Sequence, residues 1–259
     1  MTFVDDIFGL RGATAVVIGG GGVLAGCMAE GLAKAGADIA ILDIILEAAR
    51  QQADKASSFG VKSLAIKVDA SSKDDLESAE REIIQKLGRV DILINAPGIN
   101  SDTPIFEITE QEWNKILNVN LKSMFLACQI FGKRMIEQGD GGSIINISSA
   151  SSGPPLSKVF TYGISKAGVN NLTQFLARDW APHNIRVNAI APGFFPAEQN
   201  RKLLTEERTN SIMGHTPMAR FGEPDELVGA TLWLASKKAS SFVTGTIIRV
   251  DGGFSAMTI

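Results

Sequence analysis

The stretch ATAVVIGGGGVLAG, residues 13–26, decides the fold of this 259-residue chain. It opens on a mostly apolar run, residues 13–18, which is typical of a buried strand. Four glycines follow, Gly19–Gly22, and then a helical pattern begins. A strand that turns through glycines into a helix can hold a pyrophosphate, because the backbone approaches the ligand closely at the helix N-terminus. The stretch therefore predicts a dinucleotide site after the first strand.

Apolar runs alternate with helical segments along the rest of the chain. Seven runs predict strands, at residues 13–18, 38–42, 62–69, 90–95, 142–148, 184–190 and 245–251. One long helical stretch is expected from Glu110 to Glu137, and Ser72 is suited to cap another helix. Strands that are apolar throughout, with helices between them, favour a parallel sheet covered on both faces. We expect a doubly wound, Rossmann-like α/β fold with a seven-stranded parallel sheet.

We expect one domain over residues 1–259, because no linker, repeat or low-complexity segment divides the chain. The longest irregular segment, at about 192–222, is rich in Pro, Gly and aromatic residues. Such a segment is expected to form a substrate loop over the site rather than a linker.

The composition favours a small-molecule partner. The chain has 25 Lys plus Arg and 28 Asp plus Glu, a net charge of −3, which gives no reason to expect nucleic acid or an anionic membrane. The N-terminus has acidic residues where a signal peptide has basic ones, and no apolar stretch reaches the ~18 residues of a membrane span. Cys27 and Cys128 match no metal spacing. We therefore expect a cytoplasmic protein without a metal.

Asp43 bears on the choice of cofactor. It ends the second predicted strand, 24 residues after Gly19. A carboxylate there accepts hydrogen bonds from the ribose hydroxyls of NAD, and it repels the 2′-phosphate of NADP. Ile44 and Ile45 follow, so no adjacent cation favours NADP. NAD is the predicted cofactor, and the alternative role for Asp43 is a helix N-cap.

The chain has a single tyrosine, Tyr162, four residues before Lys166. On a helix these positions share a face, and an ammonium close to a phenol lowers the phenol pKa. A phenol tuned in this way can exchange a proton with an alcohol or a carbonyl. Such a pair is more often a solvated helix face, but Ser149 and Asn120 favour the catalytic interpretation. Ser149 ends the fifth strand, at the edge that carries the ligand crevice, and Asn120 puts an amide into an apolar helical stretch.

From about Leu10 to Gly253 the chain resembles the short-chain dehydrogenase/reductase family. The catalytic Asn, Ser, Tyr and Lys of that family fall on Asn120, Ser149, Tyr162 and Lys166. The resemblance implies that Tyr162 is the general acid/base and that Lys166 binds the nicotinamide ribose and lowers the tyrosine pKa. It also implies that Ser149 orients the substrate and that Asn120 holds a water in a proton relay.

The resemblance also implies contacts with the cofactor in the glycine loop and at the strand ends. These residues are Gly19, Gly21, Gly22, Val23, Leu24, Asp43, Asp69, Ala70, Asn95, Ala96, Pro97, Gly98, Tyr162, Lys166, Pro192, Gly193 and Phe195. The loop departs from the family pattern Thr-Gly-x-x-x-Gly-x-Gly, because only Gly19 is in register and Ile18 replaces the threonine. The remaining glycines keep the loop pliable, so we expect cofactor binding to survive.

Two segments bear on the substrate. The stretches PGFFPAEQNRKLL and HTPMARFG resemble the subgroup labelled D-mannonate oxidoreductase or fructuronate reductase. Gln199, Asn200 and Arg201 offer hydrogen bonds for a polyol and a cation for a carboxylate. We therefore expect an NAD(H)-dependent oxidoreductase that interconverts a secondary alcohol and a ketone on a sugar acid or polyol.

Two alternatives stay open at this point. A 3-oxoacyl thioester reductase shares the predicted fold and the four catalytic residues, but such enzymes usually prefer NADP, and Asp43 opposes that. A non-catalytic dinucleotide-binding protein is compatible with the altered glycine loop, although proton-transfer residues serve no purpose in binding alone. The resemblance further implies a homotetramer.

Overall fold

The computed structural model describes residues 2–196 and 205–257, and within them seven strands form one sheet. The strands are β1 (Thr14–Ile18), β2 (Asp38–Asp43), β3 (Ser63–Lys67), β4 (Ile92–Asn95), β5 (Gly142–Ile147), β6 (Ile185–Pro192) and β7 (Ile247–Val250). Their order in space is β3-β2-β1-β4-β5-β6-β7, and every neighbouring pair is parallel. The predicted doubly wound α/β fold and its seven strands are confirmed.

The helices alternate with the strands. In the described residues they are α1 (Phe3–Phe8), α2 (Val23–Lys34), α3 (Leu46–Ser57), α4 (Lys73–Leu87), α5 (Glu110–Leu117), α6 (Ser123–Gln138), α7 (Phe160–Trp180), α8 (Glu206–Gly214) and α9 (Val228–Ala235). Ser72 caps α4 as expected, since its hydroxyl accepts a hydrogen bond from the Asp75 N–H. The helical stretch expected over Glu110–Glu137 is interrupted by a π-helical turn, Asn118–Lys122, which joins α5 to α6.

Each face of the sheet buries its own apolar core, because successive side chains of a strand point to opposite faces. Val17 and Ile41 pack with Met28 and other side chains of α2 on one face. Val16 packs on the opposite face, in the core that contains Phe131 of α6. Burying one such side chain contributes roughly 1.5–3 kcal/mol, so the two cores fix helices on both faces.

The order of the strands determines where a crevice opens. The chain runs from β1 outward through β2 to β3, then returns to β4 on the other side of β1 and proceeds outward again. The connections leave β1 and β4 in opposite directions, so their carboxyl ends flank an open crevice. The glycine loop follows β1. Residues 95–98 begin with the last residue of β4 and continue after the strand.

α6 contacts the end of α7, the helix that carries Tyr162. A Cβ on Gly132 of α6 would lie 2.4 Å from the Trp180 ring at the end of α7. Only glycine leaves room for the indole, so α6 accommodates the end of α7 at this point. The predicted loop at about 192–222 is closed at its base by a 3.0 Å hydrogen bond from the Gly222 N–H to the Phe194 carbonyl.

Within residues 2–196 and 205–257, no helix has the length and apolar character needed to cross a membrane.

Candidate active site

The glycine loop after β1 leaves its backbone open at the crevice. Gly19 has a φ of 72°, and a Cβ there would lie 3.1 Å from the backbone of Ala96. Both features require glycine, since a side chain would be strained and would displace the segment after β4. Gly22 begins α2 as its N-cap without a side-chain hydrogen bond. The first N–H groups of α2, from Val23 and Leu24, thus lie at a helix terminus suited to an anion.

Asp43 connects the glycine loop to the start of α3. Its Oδ2 accepts a 3.0 Å hydrogen bond from the Gly21 N–H, and its Oδ1 accepts one of 2.9 Å from the Ile45 N–H. The N-cap of α3 is Ile45, so the alternative role of Asp43 as the capping residue is wrong. Each carboxylate oxygen keeps a further lone pair, so the group can still accept hydrogen bonds from a ribose.

Asp69 and Ala70 follow β3 at the same edge of the sheet. The Asp69 carboxylate is exposed and accepts two hydrogen bonds from Ser71, from its N–H at 2.9 Å and from its hydroxyl at 2.7 Å. Ala70 is half-buried. Asp69 is therefore held by its own turn, with its carboxylate in contact with solvent.

Residues 95–98 do not all face the crevice. The Asn95 side chain is fully buried, and its Nδ2 donates to the Asn146 Oδ1 of β5 at 2.8 Å. It therefore supports the sheet, and the expected cofactor contact cannot come from this side chain. Ala96 is half-buried and Pro97 is buried. Gly98 is exposed, and a Cβ there would lie 3.6 Å from the Lys166 Nζ.

Asn120 lies buried in the π-helical turn, and π turns are frequent at functional sites. Its Oδ1 accepts from the Ile99 N–H at 2.8 Å, and its Nδ2 donates to the Ile99 carbonyl at 2.9 Å and to the Ser165 hydroxyl at 3.0 Å. The Ser165 hydroxyl in turn donates to the Tyr162 carbonyl at 2.6 Å. The amide side chain is thus occupied by protein groups, and it joins the segment after β4 to α7.

Tyr162, Lys166 and Ser149 meet at the carboxyl end of β5. The Lys166 Nζ lies 5.6 Å from the centroid of the Tyr162 ring and donates a 2.8 Å hydrogen bond to the Ile147 carbonyl. The Ser149 hydroxyl lies 2.8 Å from the Ser151 hydroxyl, and Ser149 is near enough to the Tyr162 side chain to affect its pKa. The structure therefore brings together the three residues expected to perform proton transfer.

The ionisation of these groups differs from the expectation. Burial lowers the pKa of Lys166 to about 7. Burial raises the pKa of Tyr162 above its ordinary value, and the Ser149 hydrogen bond opposes that shift only in part. The expected lowering of the Tyr162 pKa by Lys166 is wrong for this structure, because burial has the larger effect and the one opposing contact comes from Ser149. The protonated phenol is favoured.

The segment after β6 forms the far side of the site. Pro192 is buried at the end of β6, and Gly193 donates a 2.9 Å hydrogen bond to the Val250 carbonyl. The Phe195 ring packs against Gly222, where a Cβ would lie 2.3 Å from it. The predicted substrate residues, Gln199, Asn200 and Arg201, lie outside the described residues.

A cavity of about 500 Å³ lies beside Ser149, and Ser152, Asn170 and Arg249 are among its lining residues. The sequence interpretation missed these three positions. For Asn170 a signal existed, since it lies four residues after Lys166 and eight after Tyr162, on one helix face. Throughout the described parts of the chain, no three His, Cys, Asp or Glu side chains cluster as metal ligands.

Similarity to known proteins agrees with this geometry. The family described as enoyl-(acyl carrier protein) reductase matches residues 22–255. The 5-keto-D-gluconate 5-reductase of Escherichia coli (strain K12) is 37% identical over 251 residues, which are 96% of this chain and 98% of that protein. The chain belongs to the short-chain dehydrogenase/reductase family. It is an oxidoreductase.

Solved structures of similar proteins contain nicotinamide dinucleotides. A protein from Haemophilus influenzae described as a D-mannonate oxidoreductase, with bound NAD, superposes with a TM-score of 0.92 at 34% identity, and 99% of each chain is covered. A gluconate 5-dehydrogenase from Burkholderia cenocepacia, in complex with NADP and tartrate, has a TM-score of 0.93 at 34% identity. That match covers 98% of this chain and 100% of the other. Nicotinamide dinucleotides are thus the cofactors of these relatives.

The lowered pKa of Lys166 predicts a pH-dependent stability. Unfolding returns this lysine to an ordinary pKa near 10.4, so between about pH 7 and 10 the unfolded chain binds one proton more than the folded protein. The free energy of unfolding therefore rises with pH in this window, by at most about 1.4 kcal/mol per pH unit. We expect Lys166→Met to flatten this slope in denaturant unfolding at a series of pH values.

Lys115→Met is the matched control, because Lys115 is exposed on α5. It should leave the slope between pH 7.5 and 9.5 as it is in the parent protein. A parental slope in Lys166→Met would show that this lysine is charged in the folded protein at neutral pH.

Proposed function

We propose that this protein is an NAD(H)-dependent oxidoreductase that interconverts a secondary alcohol and a ketone on a sugar acid or polyol. The observation that carries the proposal is the meeting of Tyr162, Ser149 and Lys166 at the carboxyl end of β5. A carbonyl oxygen within reach of the two hydroxyls would accept one hydrogen bond from each. The reaction class follows from that pair, because a polarised carbonyl beside a protonated phenol is ready for reduction.

The residues of the crevice fit a nicotinamide dinucleotide. The loop at Gly19 and Gly22 and the first turn of α2 would hold the pyrophosphate, since they present N–H groups and no side chain. The Asp43 carboxylate would accept hydrogen bonds from the ribose on the adenine side. Lys166 would donate to the ribose on the nicotinamide side. When bound, the dinucleotide supplies or accepts the hydride.

The chain itself manages the proton. Ser149 orients the carbonyl oxygen, and Tyr162 donates its proton as negative charge develops there. The phenolate that remains lies beside Lys166, and its charge favours the protonated ammonium, so the two groups titrate as a coupled pair. A lysine with a pKa of about 7 can exchange protons near neutral pH, which returns the tyrosine to its acid form. In the direction of oxidation the same groups act in reverse.

The nature of the relatives supports a sugar acid as the substrate. Relatives at 37% identity include a 5-keto-D-gluconate 5-reductase and a 2-dehydro-3-deoxy-D-gluconate 5-dehydrogenase, both from Escherichia coli. The protein described as a D-mannonate oxidoreductase supports the narrower D-mannonate/D-fructuronate class. Each of these compounds joins a carboxylate to several hydroxyls.

We also propose a cytoplasmic homotetramer, as the family resemblance implies. Large apolar side chains on α6 and α7 are exposed in the single chain, among them Phe125 and Phe175. Their burial against another copy would remove apolar surface from water, which favours association.

Replacing Tyr162 by Phe tests the mechanism. The change removes one hydroxyl, so we expect kcat for reduction of 5-keto-D-gluconate or D-fructuronate to fall by about 10³-fold, within the range of general acid catalysis. The dissociation constant of NADH, measured by fluorescence, should change little. The same assay on a 3-oxoacyl thioester should show no comparable turnover by the parent protein. A Tyr162→Phe variant with the kcat of the parent protein refutes the mechanism. A parent protein that reduces the thioester and neither keto sugar acid refutes the substrate class.

The cofactor preference depends on Asp43. We expect kcat/KM with NADH to exceed that with NADPH by at least about tenfold, because the carboxylate repels a 2′-phosphate. Asp43→Ser should reduce this ratio. Asp38→Ser is the matched control, since Asp38 begins the same strand and its carboxylate accepts a 2.8 Å hydrogen bond from the Lys62 N–H. A parent protein that prefers NADPH contradicts the proposal.

A further inference from the structure

Three polar side chains next to Ser149 are joined by hydrogen bonds. They belong to Ser148, Ser152 and Asn170, of which Ser148 is fully buried and the other two are half-buried. Asn170 follows Lys166 by four residues on α7, so it continues the stripe on which Tyr162 and Lys166 lie. The reaction proposed above leaves these three residues without a role.

The three side chains form a directed chain of hydrogen bonds. Ser148 donates from Oγ to the Asn170 Oδ1 at 2.6 Å, and the Asn170 Nδ2 donates to the Ser152 Oγ at 2.9 Å. Ser152 then donates its only hydroxyl hydrogen to the Ser149 carbonyl at 2.6 Å. Asn170 must accept on one side and donate on the other, which the amide of asparagine can do and a carboxylate cannot.

The turn that follows Ser149 is buried at Ala150 and Ser151 and opens to a cavity at Ser152. Residues Ala150–Ser152 form a single 3₁₀ turn, and the next residue, Gly153, is exposed with no atom within 4 Å of a Cβ placed on it. The same side opens into the cavity of about 500 Å³ that Ser149, Ser152 and Asn170 line. Ser152 is a residue of the turn on the cavity side, so the hydrogen bonds through Asn170 restrain that side of the turn against α7.

We propose that Asn170 is a positioning residue, which holds the turn at Ser149 so that the serine hydroxyl meets the hydroxyl of Tyr162. The inference rests on the proposed function, because it assigns Asn170 to the same site. Asn170 acts on the reaction through Ser152 and Ser149 and does not itself touch the reacting atoms. Its amide ties Ser152, in the connection between β5 and α7, to α7.

The single tyrosine provides a test that needs no substrate. Any phenolate absorbance in this protein comes from Tyr162. Ser149→Ala removes the hydrogen bond that lowers the Tyr162 pKa, so the midpoint of the phenolate titration should rise. Asn170→Ala should raise the midpoint in the same direction. The double replacement should raise it no further than Ser149→Ala alone, because Asn170 acts through Ser149.

Asn171→Ala is the matched control, since Asn171 is the next residue of α7 and is exposed. It should leave the midpoint at its parental value. A parental midpoint in Asn170→Ala, or shifts that add in the double replacement, would overturn the proposal. Should Asn170→Ala fail to fold, Ser152→Ala breaks the same chain from the side of the turn. A crystal structure of either variant then shows whether the Ser149 hydroxyl still meets Tyr162, and an unmoved hydroxyl also overturns the proposal.

Turnover provides the second readout. A misplaced Ser149 should lower kcat for the keto sugar acid by roughly tenfold to a hundredfold, with little change in KM for NADH. If the phenolate midpoint shifts but the parent protein turns over no keto sugar acid, the proposed function fails and the positioning role stands. If the parent is active and Asn170→Ala matches it in kcat and in the midpoint, the positioning role fails and the proposed function stands.

Discussion

The ammonium of Lys166 lies in the interior beside the ring of Tyr162, and the site is organised around that burial. Within the described residues, the ammonium donates one hydrogen bond to the Ile147 carbonyl and lies 5.6 Å from the centre of the tyrosine ring. Removing an ammonium from water is costly, and the protein lowers that cost by shifting the pKa of the group to about 7. Gly98 lies beside the same nitrogen, since a Cβ placed on it would be 3.6 Å from the Lys166 Nζ.

The elements around Lys166 and Tyr162 hold these two side chains in place. The π-helical turn brings the Asn120 amide between Ile99 and Ser165, so the segment after β4 and α7 keep a fixed separation. On the other side of Tyr162, Asn170 and Ser152 restrain the turn at Ser149. Amide side chains suit both positions because each must donate and accept at once. The reactive hydroxyls thus depend on amides that do not react.

Much of this protein could be predicted from its sequence, and the limits have physical causes. The seven apolar runs predicted the strands, since a strand buried on both faces is apolar throughout. The spacing of Tyr162 and Lys166 predicted their shared helix face, because that relation is local. The burial of Asn95 against Asn146 was not predictable, since it depends on two distant strands pairing side by side. The predicted direction of the Tyr162 pKa shift was wrong for a related reason, because the desolvation of the phenol depends on the whole fold.

The fold itself keeps Lys166 partly neutral and Tyr162 protonated near neutral pH. The most direct test is an NMR titration of the protein with ¹³C-labelled lysine, in which Lys166→Met assigns the resonance. We expect the Lys166 resonance to titrate with a midpoint near pH 7, well apart from the surface lysines. A midpoint near 10.4, the ordinary value for lysine, would contradict it.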